Sequence, residues 1–250
     1  MSYEDKVGPG APAKHQALRR QVYVWQWPVR LFHWINAGAI TVLFATGMYI
    51  GRPILSPQQE AFQSFVMGQM RYWHGVAAFI FIANVLFRLY WFWKGNEYAK
   101  MRLWRKDFWS DAVATFKYYT FMTREHTFHA GHNALAQIMY FFFVWLAGVF
   151  MILTGLAMRG GSDPNGIWQT LFGWVIPASR SESQVRYLHH LLAWGYPVFL
   201  LGHLYMVFRQ DILDDDGTVS SMINGYKFEI PAQEETDKAD TSESLVSTAK

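Results

Sequence analysis

The sequence predicts an all-α integral membrane protein built as a four-transmembrane-helix bundle. Three observations predict it. Four apolar stretches are each about 20 residues or longer, enough to cross a bilayer core as a helix. Only 16% of the 250 residues are charged while 18% are aromatic, against a usual charged share of roughly a quarter. Histidines recur inside the apolar stretches, where an ionisable side chain is costly and marks a functional site by default.

Residues 1–30 are polar and carry Lys6, Lys14, Arg19, Arg20 and Arg30. Span one covers 31–51. No small-residue cleavage site closes it, so it reads as a retained helix and not as a removed signal peptide. Span two, 72–93, holds one charge, Arg88; span three, 133–158, and span four, 187–208, hold none. An even number of spans puts both termini on one side. Five Lys and Arg lie in 1–30 and seven in 94–132, against two in 52–71 and three in 159–186. Positive charge gathers on the cytoplasmic side, which places both termini there. The expected organisation is a cytoplasmic segment (1–30), a membrane domain (31–226) and a disordered cytoplasmic tail (227–250), the tail being poor in apolar residues.

The loops carry some order. Residues 107–121 mix aromatics and charges, as an amphipathic helix at the membrane surface does. The 159–186 loop has the apolar run IWQTLFGWVI between glycines and prolines, and reads as a short interfacial helix or a docking surface. No repeat is evident. Basic residues sit in loops and form no stripe, so nucleic-acid binding is not indicated. Cysteine is absent, which excludes disulfides, thiolate metal sites and thioether-attached haem. No nucleophile–base arrangement or phosphate loop appears.

The histidines sort by depth. Span four contains His189, His190 and His203. At about 100° and 1.5 Å per residue, His189 and His203 come within roughly 40° of one face, some 21 Å apart along the helix. His190 points elsewhere. With alternating span directions, His74 shares the outer depth with His189, and His33 shares the inner depth with His203. Two depth-matched imidazole pairs are what two haems b held between helices would need, one imidazole on each axial side of the iron. Arg88 lies 14 residues after His74, on the same face at the inner depth. Two readings stand for it: a partner for the inner haem's propionates, or a cation reaching for the headgroups.

Other residues have plainer readings. His190 reads as an interfacial or supporting group. His126, His129 and His132 form HTFHAGH, which reads as a solvated loop before a metal site, or as a group near a quinone. Gly38, Gly47, Gly75, Gly155 and Gly202 admit a flat cofactor or, by default, close helix packing. Asn36, Asn84 and Gln137 read as interhelical hydrogen bonds. Pro197 should kink span four between the two proposed ligands.

The segments WPVRLFHW (27–34), MGQMRYWH (67–74), FRLYWFWKGNEYA (87–99), GHNALAQ (131–137) and GHLYMVFRQDILDDDGTVSSMINGY (202–226) resemble the b-type cytochrome subunit of membrane-bound nickel–iron hydrogenases. That family's usual GHNP stands here as Gly-His-Asn-Ala at 131–134. A bare four-helix pattern with histidines also fits the cytochrome subunits of formate dehydrogenase or thiosulfate reductase. A haem-free membrane anchor or transporter, with histidines as polar glue or a proton path, belongs to a different class. The resemblance implies a subunit of the bacterial inner membrane with two haems b. It would take electrons from the iron–sulfur small subunit on the periplasmic side and pass them to quinone. The nickel–iron centre that splits hydrogen would lie on the large subunit, so this chain would be a relay and anchor.

Overall fold

The computed structural model describes residues 20–54, 65–101, 103–123 and 131–229. The tail from residue 230 onward, and with it most of the segment expected to be disordered, lies outside them.

Four long helices form the bundle. Helix α1 spans Trp27–Gly51 and opens with Pro28, whose fixed φ and missing N–H suit a first helical turn. Helix α2 is Val66–Lys94. The third crossing is continuous over Ala134–Gly160: α4 (Ala134–Tyr140), a π-helical segment (Phe141–Leu146) and α5 (Ala147–Gly160). The fourth is α8, Glu182–Asp214, which runs unbroken through Pro197. The crossings are 25, 29, 27 and 33 residues long, so three begin or end well outside the spans expected from hydropathy. The extra turns are supplied by aromatic and polar residues at the bundle ends, which hydropathy discounts but helix geometry accepts.

Caps explain several boundaries. The Asn133 side chain accepts from the Ala136 amide at 2.8 Å, so the Gly-His-Asn-Ala turn starts a helix without a proline at 134. Ser181 accepts from the Gln184 amide at 3.2 Å and opens α8. Helix α8 stops where Asp215 turns left-handed, φ 49°.

The expected surface helix is α3, Phe108–Tyr119. It buries Phe108, Ala112, Thr115 and Tyr119 on one face, the spacing of an amphipathic helix. Phe108 and Ala112 pack on Ala134 at the start of α4. The 159–186 loop holds two short helices, α6 (Ile167–Phe172) and α7 (Val175–Ala178). In the bundle, Ala39 of α1 meets Phe81 and Val85 of α2, with Trp145 and Ile152 against them. Asn84 joins the two helices, donating to the Phe32 carbonyl at 3.0 Å. Gln137 donates to the His132 carbonyl at 3.0 Å, and the Asn36 side-chain oxygen is buried with no hydrogen-bond partner among the described residues.

The two chain ends meet in a feature that hydropathy does not reveal. Strand β1, Arg20–Tyr23, pairs antiparallel with β2, Tyr226–Glu229. Between α8 and β2 lies α9, Thr218–Asn224. The Val24 and Trp25 amides both donate to the Gly225 carbonyl, at 2.9 and 3.1 Å. Gly225 has φ +91°, and a side chain there would run into Tyr23 and the Trp25 carbonyl. Arg30 and Trp34 of α1 donate to the carbonyls of Ile223 and Met222. Lys227 pairs with Asp216 at 2.9 Å, both almost fully buried. The strand carries order past the boundary expected at 227, because a lysine with a buried carboxylate partner does not stay in solvent.

Removing one partner of a buried pair leaves the other charged and unsolvated, at a cost of about 3–5 kcal/mol. Lys227→Met should therefore lower the thermal unfolding midpoint in detergent markedly. Lys227→Met with Asp216→Asn should recover much of the loss.

Candidate functional site

Alternating helix directions sort the buried polar side chains into two layers. One, the terminal end, lies toward the strand pair. The other, the far end, lies toward the close of α1 and the start of α8.

At the terminal end, His33 of α1 and His203 of α8 face each other with ring centroids 6.2 Å apart. Phe199 stacks on His203 at 5.7 Å and is itself stacked on Phe143 at 4.5 Å. His33 Nδ1 is buried and has no hydrogen-bond partner among the described residues. Arg88 reaches the same end and is 4% exposed. Its Nη2 donates to the Ala99 carbonyl at 2.7 Å; Nε and Nη1 have no partner. Its guanidinium lies 5.4 Å from the Tyr140 ring and 5.9 Å from Phe32. The Tyr140 hydroxyl is also buried, without a well-formed hydrogen bond. Arg88 thus turns into the bundle and does not reach for headgroups.

At the far end, His74 of α2 lies against α1 and His189 of α8 against α5. His74 Nδ1 is 3.0 Å from the Thr46 hydroxyl, and His189 Nδ1 is 2.7 Å from the Thr154 hydroxyl. Each ring rests over the next glycine. A Cβ at Gly47 would stand 3.2 Å from His74, and one at Gly155 would stand 3.5 Å from His189. His74 and His189 lie within electrostatic reach of each other. His190 instead abuts Gly51 at the end of α1, in a shallow rim lined by Glu182, Arg186 and Tyr187. Tertiary packing therefore separates the two adjacent histidines as helical phase predicted.

Sequence reasoning missed both threonines. The signal was present: Thr-Gly occurs at 46–47 and again at 154–155, near the far ends of two helices that start on the same side. The sequence also placed His132 in a solvated loop; the residue does keep solvent access, and the structure adds aromatic neighbours to it. The His132 ring packs 4.7 Å from Trp25 and 5.8 Å from Tyr140. The loop is held inward because the Asn133 cap anchors it to α4 while β1 carries Trp25 over it. Desolvation by the surrounding protein atoms, aided by the charge of Arg88, pushes the His132 imidazole down to about 3. His126 and His129 lie outside the described residues. Among the described residues, no group of three or more His, Asp or Glu is gathered for a metal ion. The glycines also differ from the packing default. A Cβ at Gly38 or Gly202 would meet nothing within 4 Å, and Gly47 and Gly155 face imidazoles.

These residues fit a flat, metal-centred macrocycle. Metal–imidazole bonds of about 2 Å on opposite sides of one ion put the ring centroids roughly 6 Å apart, which matches the His33–His203 separation. The glycines at 47 and 155 let each far-end ring lie close against the helix beside it. Arg88 is a buried cation with two bare nitrogens, suited to a carboxylate.

Comparison with known proteins identifies the family. The family model described as prokaryotic cytochrome b561 matches residues 24–225. A probable Ni/Fe-hydrogenase B-type cytochrome subunit of Cupriavidus necator is 39% identical, over 87% of this chain and 91% of that one. The protein of the same description from Rhodobacter capsulatus is 36% identical, over 85% of this chain and 84% of that one. A probable Ni/Fe-hydrogenase 1 B-type cytochrome subunit of Escherichia coli K12 is 34% identical, over 82% and 90%.

The crowded His132 imidazole gives a pH dependence. Its folded value is depressed below the unfolded 6.5 to about 3, so the unfolded chain binds the proton first. The stability due to its neutral form is complete above 6.5 and is lost as pH falls toward 3. Hydrogen exchange of the 131–134 turn should accelerate on acidification through that window, and His132→Asn should flatten the dependence.

Proposed function

Because the chain belongs to the prokaryotic cytochrome b561 family, we propose that it is the di-haem b-type cytochrome subunit of a membrane-bound nickel–iron hydrogenase. It is a multi-pass membrane protein, with four helices long and apolar enough to cross. In this reading His74 and His189 hold one haem b at the far end and His33 and His203 hold the other at the terminal end. The observation that carries it is the opposed pair His33 and His203, 6.2 Å apart, with a second pair of imidazoles at the opposite depth.

Each haem supplies a site for one electron. The chain's own residues do the rest. Imidazoles from facing helices fix the two positions across the membrane. Arg88 and the Tyr140 hydroxyl offer donors to carboxylates of the terminal-end group, and the aromatic stack of Phe143, Phe199 and His203 excludes water between the layers. The membrane domain takes in 31–226, with β1 and the start of α1 before it and Lys227–Glu229 of β2 after it joined to its terminal end. With the terminal end cytoplasmic in a bacterial inner membrane, the far end meets the iron–sulfur small subunit, and the terminal end serves quinone. The nickel–iron large subunit binds through the small subunit, so the chain anchors the complex in lipid.

Protein purified in detergent should show b-type bands on reduction and two haems per chain by pyridine haemochrome assay. His74→Ala and His189→Ala should lose one and the same centre in redox titration. His33→Ala and His203→Ala should lose the other, and His190→Ala should lose neither. Co-purification tests the partner. Hydrogenase subunits in the complex support the assignment; formate dehydrogenase subunits would replace it. Arg88→Leu should lower the potential of the terminal-end centre by removing a cation that favours its reduced form.

A further inference from the structure

The two threonines stand in matched environments. Thr46 donates to the Val42 carbonyl at 2.6 Å, and Thr154 donates to the Phe150 carbonyl at 2.7 Å. A hydroxyl has a single proton. With that proton committed to the preceding turn, each oxygen can only accept from the imidazole beside it. The hydrogen of His74 and of His189 therefore sits on Nδ1, with the Leu43 carbonyl a further partner for His74 alone, and Nε2 of each keeps a free lone pair. That is the form in which an imidazole ligates a metal. Thr46 is 7% exposed and Thr154 1%, so water does not compete for either bond. The glycine that follows each threonine lets the ring settle close against the helix.

The terminal end is built differently. His33 Nδ1 has no acceptor, and the neighbouring charge is the buried guanidinium of Arg88. An acceptor on Nδ1–H makes an imidazole a stronger electron donor to its metal, which favours the oxidised state. A buried cation favours the reduced state. The two ends are therefore biased in opposite senses.

We propose that Thr46 and Thr154 are positioning residues that lock His74 and His189 as Nδ1–H tautomers and hold the far-end haem at a lower potential than the terminal-end haem, so that electrons run downhill from the far end to the terminal end. The inference rests on the di-haem reading above. It adds the residues that set direction.

The test is redox titration with low-temperature electron paramagnetic resonance on the purified protein. The wild type is compared with Thr46→Val, Thr154→Val, both together, and the corresponding Thr→Ser variants. The centre absent in His74→Ala marks the far end. Its midpoint should be the lower of the two in the wild type. It should shift upward in each Val variant and further in the double variant, with altered low-spin g values, an unmoved terminal-end centre and retained haem. Ser should restore the wild-type values. If a Val variant loses haem, retention in the Ser variant still supports the hydroxyl's role, whereas loss in both overturns it. Val variants that keep both haems with an unmoved far-end midpoint would overturn the proposal, as would a wild-type far-end centre of higher potential. Wild-type protein without b-type bands would sink the haem reading itself, and its spectrum separates that result from a failure of the threonines alone.

Discussion

An imidazole carried into a bilayer core loses its water, and each of its nitrogens must then find a partner inside the protein. The arrangement of this bundle follows from that demand. Four histidines ride on three helices, α1, α2 and α8, and fall at two depths. At the far end the demand is half met by hydroxyls from α1 and α5. At the terminal end His33 Nδ1 has no partner among the described residues, beside an arginine and a tyrosine that meet each other without a well-formed hydrogen bond. Donors without acceptors, collected at one depth between helices, define a site shaped for an acceptor-rich group.

The helices that carry these residues are held in phase by contacts between the layers. The π-helical segment at 141–146 changes the pattern of backbone bonding in the third crossing. The Phe143 carbonyl there accepts from the Tyr196 hydroxyl at 3.3 Å, one residue before Pro197. Segments of this kind recur at functional sites because they free backbone groups for other partners. In this bundle the tie fastens α8 to its neighbour beside the proline. His189 and His203 consequently reach opposite layers of the same interior, and the proline does not scatter them.

The strand pair closes the terminal end. It joins residues at opposite ends of the described chain, which an even number of crossings brings to one side. Gly225, the Lys227–Asp216 pair and the bonds from Arg30 and Trp34 fix α9 and β2 over the mouth of the bundle. Trp25 is thereby laid on His132, so the strand pair and the Gly-His-Asn-Ala turn are tied together at the terminal end. Burial of Arg88 without a carboxylate partner among the described residues becomes intelligible if the bound group brings its own.

The bundle was legible in the chain alone, because a bilayer imposes length and apolarity on any crossing helix and both are countable. So were the depths of His33, His74, His189 and His203, since alternating direction and a fixed rise convert position into depth. The phase that separates His189 from His190 came from the same geometry. What faces each side chain was settled by tertiary packing. Thr46 and Thr154 are ordinary helix residues until α2 and α8 bring histidines to them. The contact of Trp25 with His132 could not be read from either segment alone, and Lys227 looked like part of a polar tail until Asp216 turned toward it. Pairing between helices depends on the rotation and tilt of one helix against another, and those are set by side-chain packing that no single helix's spacing contains.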